Sequence, residues 1–171
     1  MWNEPSAGVA VAALDPSRAG RQPQPAVVAS VEPGSIGEEL GFEPGDQLLS
    51  INGVRPRDLI DYRYLTVEED LILEVRDSAG ELHRVQLEKD ADDGLGLAFT
   101  EALFDGLRQC TNRCPFCFID QQPPGHRDSL YLKDDDYRLS FLYGSYLTLT
   151  NLSESDWTRI EEQRLTPLFV S

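Results

Sequence analysis

The sequence predicts an α+β protein in two folded parts behind a flexible leader at residues 1–25. Residues 26–100 read as a small β-barrel with two helices, and residues 101–171 as the first βα units of a (β/α) partial barrel. Three observations carry this reading. Strand-like runs and Gly/Pro turns alternate regularly from Ala26 onwards. The segment after Glu101 reads strand, loop, strand, helix, strand. All three cysteines lie within eight consecutive residues near the start of that second part.

The leader carries Pro5, Pro16, Pro23 and Pro25 with Gly8 and Gly20, a composition that does not hold a packed core, although residues 8–14 contain a short strand pattern. Residues 26–31 form a β-rich run, closed by the turn Glu32-Pro33-Gly34. Ser35 is placed to cap a short helix that ends at Gly41. Pro44-Gly45-Asp46 turns the chain into a strand at residues 47–51, and Asn52-Gly53 closes it. A second helix follows Pro56, with Leu59, Tyr62 and Leu65 at helical spacing. Residues 71–77 and 82–87 then form a hairpin across Ser78-Ala79-Gly80. His83 alternates with Val85 and Leu87 in that hairpin and reads as structural.

In the second part, residues 102–107 read as a first barrel strand and residues 146–150 as a second. Ser153-Glu154-Ser155-Asp156 is a capping box opening a helix with Trp157 and Ile160, and Leu168-Phe169-Val170 reads as a third strand.

Composition narrows the function. A 171-residue chain with 40% apolar residues can fold around a real core. Its net charge of −15 speaks against nucleic acid or anionic lipid as a partner, since both need a basic surface. No apolar run approaches the roughly 20 residues of a membrane span, and the start Met1-Trp2-Asn3-Glu4-Pro5 lacks a signal-peptide pattern, so a cytoplasmic location is expected.

The runs Val28-Ala29-Ser30-Val31-Glu32-Pro33-Gly34-Ser35 and Leu40-Gly41-Phe42-Glu43-Pro44-Gly45-Asp46-Gln47-Leu48-Leu49-Ser50-Ile51-Asn52-Gly53 resemble the central signature of PDZ domains over about residues 26–100. The resemblance implies a groove that adds a protein C-terminal peptide as a strand, with backbone N–H groups of a Gly-rich loop capturing its carboxylate. Gly94-Leu95-Gly96-Leu97, before Ala98-Phe99-Thr100, is the candidate loop, placed after the hairpin as in a circularly permuted PDZ domain. The alternative reading makes Asp92-Asp93-Gly94 a linker turn.

Cys110-Thr111-Asn112-Arg113-Cys114-Pro115-Phe116-Cys117 resembles the radical-SAM signature. The resemblance implies three thiolates on three irons of a [4Fe–4S] cluster, the fourth iron being open to S-adenosylmethionine, with Phe116 at the cofactor and an electron donor as partner. Phe116 and Phe118 are candidates to exclude water from the cluster. The competing reading is a Cys3His zinc site completed by His126, which would leave a PDZ interaction module with a structural or redox-sensing metal site.

Further on, Phe118-Ile119-Asp120-Gln121-Gln122-Pro123-Pro124-Gly125 and Tyr131-Leu132-Lys133-Asp134-Asp135-Asp136-Tyr137-Arg138-Leu139-Ser140-Phe141-Leu142-Tyr143-Gly144-Ser145-Tyr146 resemble a cyanobacterial-type family of PDZ-containing radical-SAM FeS oxidoreductases with a domain of unknown function. One departure stands out: Leu149-Thr150-Asn151 occupies the place where a Gly-Gly-Glu motif often meets the SAM amine. Asp134-Asp135-Asp136 reads as a solvated or Arg-paired loop rather than a divalent-metal site, because consecutive residues of an extended chain point in alternating directions. Arg127 and Arg138 are its candidate partners, and either could instead hold a substrate carboxylate. A parallel strand needs neighbours, so 171 residues are expected to hold only part of a catalytic barrel.

Overall fold

The structure, a computed structural model, describes residues 24–171; the candidate strand at residues 8–14 lies outside them. The described chain divides into two units, Pro25–Phe104 and Asp105–Ser171.

The first unit runs β1 (Ala26–Val31), α1 (Ile36–Glu39), β2 (Gln47–Ile51), α2 (Leu59–Leu65), β3 (Asp70–Arg76), β4 (Leu82–Glu88) and β5 (Leu97–Phe99). Its five strands form one antiparallel sheet in the order β4-β3-β2-β1-β5. Local chemistry sets the turns. Ser35 Oγ accepts the Glu38 N–H to cap α1, and Asp58 Oδ1 accepts the N–H groups of Ile60 and Asp61 at 3.0 and 2.9 Å to cap α2. Asn52, at φ 49°, accepts the Ile72 N–H at 2.7 Å and so ties the end of β2 to β3. On β3 the period of two buries Leu71, Leu73 and Val75, which join Val28, Leu48, Ile51, Leu95 and Tyr62 in the core.

The sheet is open, which corrects the expected small barrel. Closure would require β5 to pair with β4. Instead, among the described residues, β5 pairs with β1 alone, and the Tyr62 ring of α2 packs 4.7 Å from that of Phe99. The chain beyond β5 then turns back to bond the lead-in to α2: Leu59 donates to the Ala102 carbonyl at 2.9 Å, and Phe104 to that of Arg57 at 2.8 Å. The expected strand over residues 102–107 is therefore absent. Leu103 makes one isolated bridge to Asp58, Phe104 packs on Phe99 in the core of the first unit, and the second unit begins at Asp105.

The second unit contains a 3₁₀ turn (Asp128–Tyr131), α3 (Tyr137–Tyr143), β6 (Tyr146–Leu147), α4 (Glu154–Glu162) and β7 (Phe169–Val170). Strands β6 and β7 pair in parallel, with α4 between them in the chain. The expected strand at 146–150 is thus shortened to two residues, because Leu149 turns the backbone to φ 59°. Helix α3 was not expected; Asp136 caps its start, and Gly144, at φ 75°, ends it.

Much of this unit's interior is charged. Arg138, Asp136, Asp156 and Arg159 are buried beside Tyr137, Leu139, Leu147 and Leu165. Arg138 donates to Asp136 at 2.8 and 2.7 Å, to Asp105 at 2.5 Å and to the Gly106 carbonyl at 2.9 Å. Arg108 and Arg159 lie over the Tyr137 ring, 5.6 and 5.8 Å from its centre.

The capping box at α4 is formed in both directions between Ser153 and Asp156. Arg108 also pairs with Asp156. Burial works against the charge of Asp156, but the bonds from Arg108 and Ser153 outweigh it and hold the carboxyl at about 2, below its ordinary 3.8. A depressed folded value stabilises above the unfolded pKa and is lost as pH falls through the folded one. Relative to D156N, wild-type protein is therefore expected to hold a stability advantage of about 2 kcal/mol above pH 4 that disappears towards pH 2. Urea denaturation of both proteins across that range checks it, and a difference that does not vary with pH would contradict it.

Candidate metal centre

Residues 110–133 form a long loop whose two ends are stitched together. Gln109 and Asp134 make an antiparallel bridge, Cys110 donates to the Lys133 carbonyl at 2.8 Å, and Asp135 donates to that of Arg108 at 3.1 Å. Within it, Cys117 donates to the Cys114 carbonyl at 3.0 Å. This closes a four-residue turn with Pro115 at the second position, where its fixed φ is favourable. The Gln121 N–H then bonds the Cys117 carbonyl at 3.2 Å, and its side chain bonds the Pro115 carbonyl at the same distance. All three cysteines are free thiols of intermediate exposure.

The loop is tied to the segment leaving β6. Thr111 donates to Asn151, and Asn112 to Thr150, each at 2.6 Å. Asn151 and Thr148 in turn bond the buried carboxylate of Asp135, Thr148 through its N–H at 2.6 Å and its hydroxyl at 2.8 Å. The neighbouring carboxylates take different partners, as alternation requires: Asp135 is bonded by Thr148 and Asn151 and Asp136 pairs with Arg138, while the main chain of Asp134 bridges to Gln109. Arg138 rather than Arg127 is the arginine partner. Burial, together with the neighbouring charges of Asp135 and Asp136, pushes Asp134 above the usual carboxylate range.

Other expected site residues are placed differently from the simplest reading. Phe116 and Phe118 are 78% and 71% exposed. The His126 main chain is held by the Tyr131 hydroxyl at 3.0 Å. Among the described residues, the ligand-type side chains gathered within 4.8 Å of one another are Asp77, Glu81 and His83 in the β3–β4 turn, not the cysteines and His126. His83 is not buried with Val85 and Leu87; it is largely exposed and pairs with Asp77 at 2.8 Å.

The Gly94–Leu97 segment leads into β5. Gly96 is obligatory: at φ 70°, a Cβ there would lie 2.3 Å from that of Ser35. The carbonyls of Leu95 and Gly96 are taken by the N–H groups of Gly37 and Glu32, both at 2.8 Å. Burial pushes the Tyr62 hydroxyl well above the usual phenol range, partly offset by the Arg63 charge.

Sequence reading missed Arg108, Asp120 and Lys133. The only signal for Lys133 was its rarity, as it is one of two lysines in the chain.

Residues 89–171 match the model of a radical SAM-like domain, and residues 27–77 match that of a PDZ domain. The chain thus carries both. Among solved structures, the PDZ domain of the SdrC-like protein from Listeria innocua is 12% identical, with a TM-score of 0.39, covering 47% of this chain and 99% of that one. No curated protein matches the chain. No helix of the described residues is long and apolar enough to cross a membrane.

Proposed function

We propose that the chain joins a peptide-binding PDZ module, about residues 26–100, to the cluster-binding segment of a radical-SAM FeS oxidoreductase of the cyanobacterial PDZ-containing type, residues 101–171. The observation that supports this most is where the cysteine loop sits. It is held by Thr150 and Asn151, just past the C-terminal end of a strand in a parallel pair, which is where α/β proteins gather their ligands.

The donor set fits a [4Fe–4S] cluster with one open iron. Cys110, Cys114 and Cys117 would each take one iron, and no fourth cysteine exists in the chain to close the last position. When bound with S-adenosylmethionine, this group supplies one-electron reductive chemistry, fed by an electron donor. The chain's own residues hold the loop. The Pro115 turn sets the spacing of Cys114 and Cys117, and Asp135 anchors the Thr148 and Asn151 side that grips Thr111 and Asn112. Because Thr150 and Asn151 are committed to that grip, we assign them to holding the loop rather than to the SAM amine. Free thiols suit a reducing compartment, and we place the protein in the cytoplasm.

Anaerobic reconstitution with iron and sulfide tests this reading. Four irons per chain with the broad absorption of a cluster are expected. A colourless protein holding one zinc would replace the cluster with the Cys3His site.

For the PDZ module we assign the groove between β5 and α2 to a free peptide C-terminus. A free terminal carboxylate is then part of recognition, and amidating the peptide terminus is expected to weaken binding sharply. Fluorescence polarisation with acid and amidated forms of one selected peptide checks this. Equal binding of the two forms would remove carboxylate capture.

A further inference from the structure

Lys133 is the sole lysine of residues 105–171. Its backbone carbonyl accepts the Cys110 N–H at 2.8 Å. Its ammonium reaches Asp120, three residues beyond Cys117, at 2.5 Å. One residue therefore holds both ends of the cysteine span, by its main chain at the first thiol and by its side chain behind the last. Asp120 is itself placed just behind Cys117 by the turn in which the Gln121 N–H bonds the Cys117 carbonyl at 3.2 Å.

Metal is held by thiolates, so a loaded loop carries the negative charge of its ligands beside that of Asp120, and Lys133 is the cation bonded to Asp120 there. Removing it leaves the Asp120 charge unopposed beside the cluster and disfavours adding an electron. Removing the Asp120 charge leaves the ammonium unopposed and favours it, since net local charge is one of the determinants of cluster potential.

We propose that Lys133 is a positioning residue for the cluster on Cys110, Cys114 and Cys117. With Asp120 it forms a charge pair beside the cysteine loop that sets the reduction potential of the centre. This rests on the cluster reading above.

The test is a dithionite titration, followed by EPR, of anaerobically reconstituted wild type, K133M, K133R, D120N and the K133M/D120N double variant. K133M is expected to shift the midpoint negative and D120N positive, each by at least a tenfold change in the reduced-to-oxidised ratio at fixed potential, about 59 mV for one electron. K133R and the double variant should titrate near wild type. K133M loading too poorly to titrate, while K133R and the double variant load normally, supports the same role, because deleting Asp120 relieves the repulsion. Shifts of the same sign in K133M and D120N, or none in either, overturn the charge-pair role while leaving the cluster intact. Failure of wild type itself to load removes the cluster reading and this inference together.

Discussion

Replacing Arg138 with methionine is expected to unfold residues 105–171 while the strands of the first unit keep their protection from hydrogen exchange. Arg138 is 1% exposed, and its guanidinium fork satisfies Asp136, Asp105 and the Gly106 carbonyl at once. Burial works against its charge, yet Asp136 and Asp105 hold it above the usual arginine value. Methionine fills much of the same volume but strands the Asp136 carboxylate in the interior. Breaking one side of a buried pair costs about 3–5 kcal/mol, a large fraction of a small unit's stability. R138K keeps the charge but loses the fork and should fall between the two. Exchange measured by mass spectrometry over residues 137–165 decides it; full protection there in R138M would show that the charged interior is not what holds the unit together.

The second large effect concerns the thiols. Alanine at Cys110, Cys114 or Cys117 is expected to abolish cluster assembly in each single variant, because a three-legged site has no spare ligand. The fold should survive these changes, since all three side chains are partly exposed and the loop is held by Thr111, Asn112 and Lys133 rather than by sulfur. Iron and sulfide counts beside circular dichroism separate the two. If two of the single variants still took up four irons, the ligand assignment would be wrong.

The first unit was legible because its turns are chemically explicit. Glu32-Pro33-Gly34, Ser35, Pro44-Gly45-Asp46 and Asn52-Gly53 each leave the backbone few choices, and the strands between them fall at Ala26–Val31 and Gln47–Ile51 as read. What misled was the far side of the sheet. An apolar run at residues 102–107 looks like a strand, but its first residues complete the first unit's core, with Phe104 only 4% exposed. Helix α3 was hidden for a different reason. It has seven residues, and Tyr137, Arg138, Leu139 and Ser140 are all buried, so no amphipathic stripe exists to detect. Its caps, Asp136 and Gly144, were the readable trace.

At the candidate site the cysteines announced themselves by spacing, and the capping box at Ser153 by its motif. The residues that hold the loop did not. Lys133 meets Asp120 across 13 positions, Thr111 meets Asn151 across 40, and Arg108 meets Asp156 across 48. No local periodicity records pairings of that range; the last two arise only when the chain after β6 folds back on the segment before it.

The most direct measurement of the proposed function is the EPR spectrum of the anaerobically reconstituted, dithionite-reduced protein before and after S-adenosylmethionine is added. With three thiolates and one open iron, the added amino and carboxylate groups should alter the ligand field of a single iron and shift the g values of the reduced centre. A four-iron centre whose spectrum is unchanged by saturating S-adenosylmethionine would contradict an open iron, and with it the radical-SAM reading of Cys110, Cys114 and Cys117.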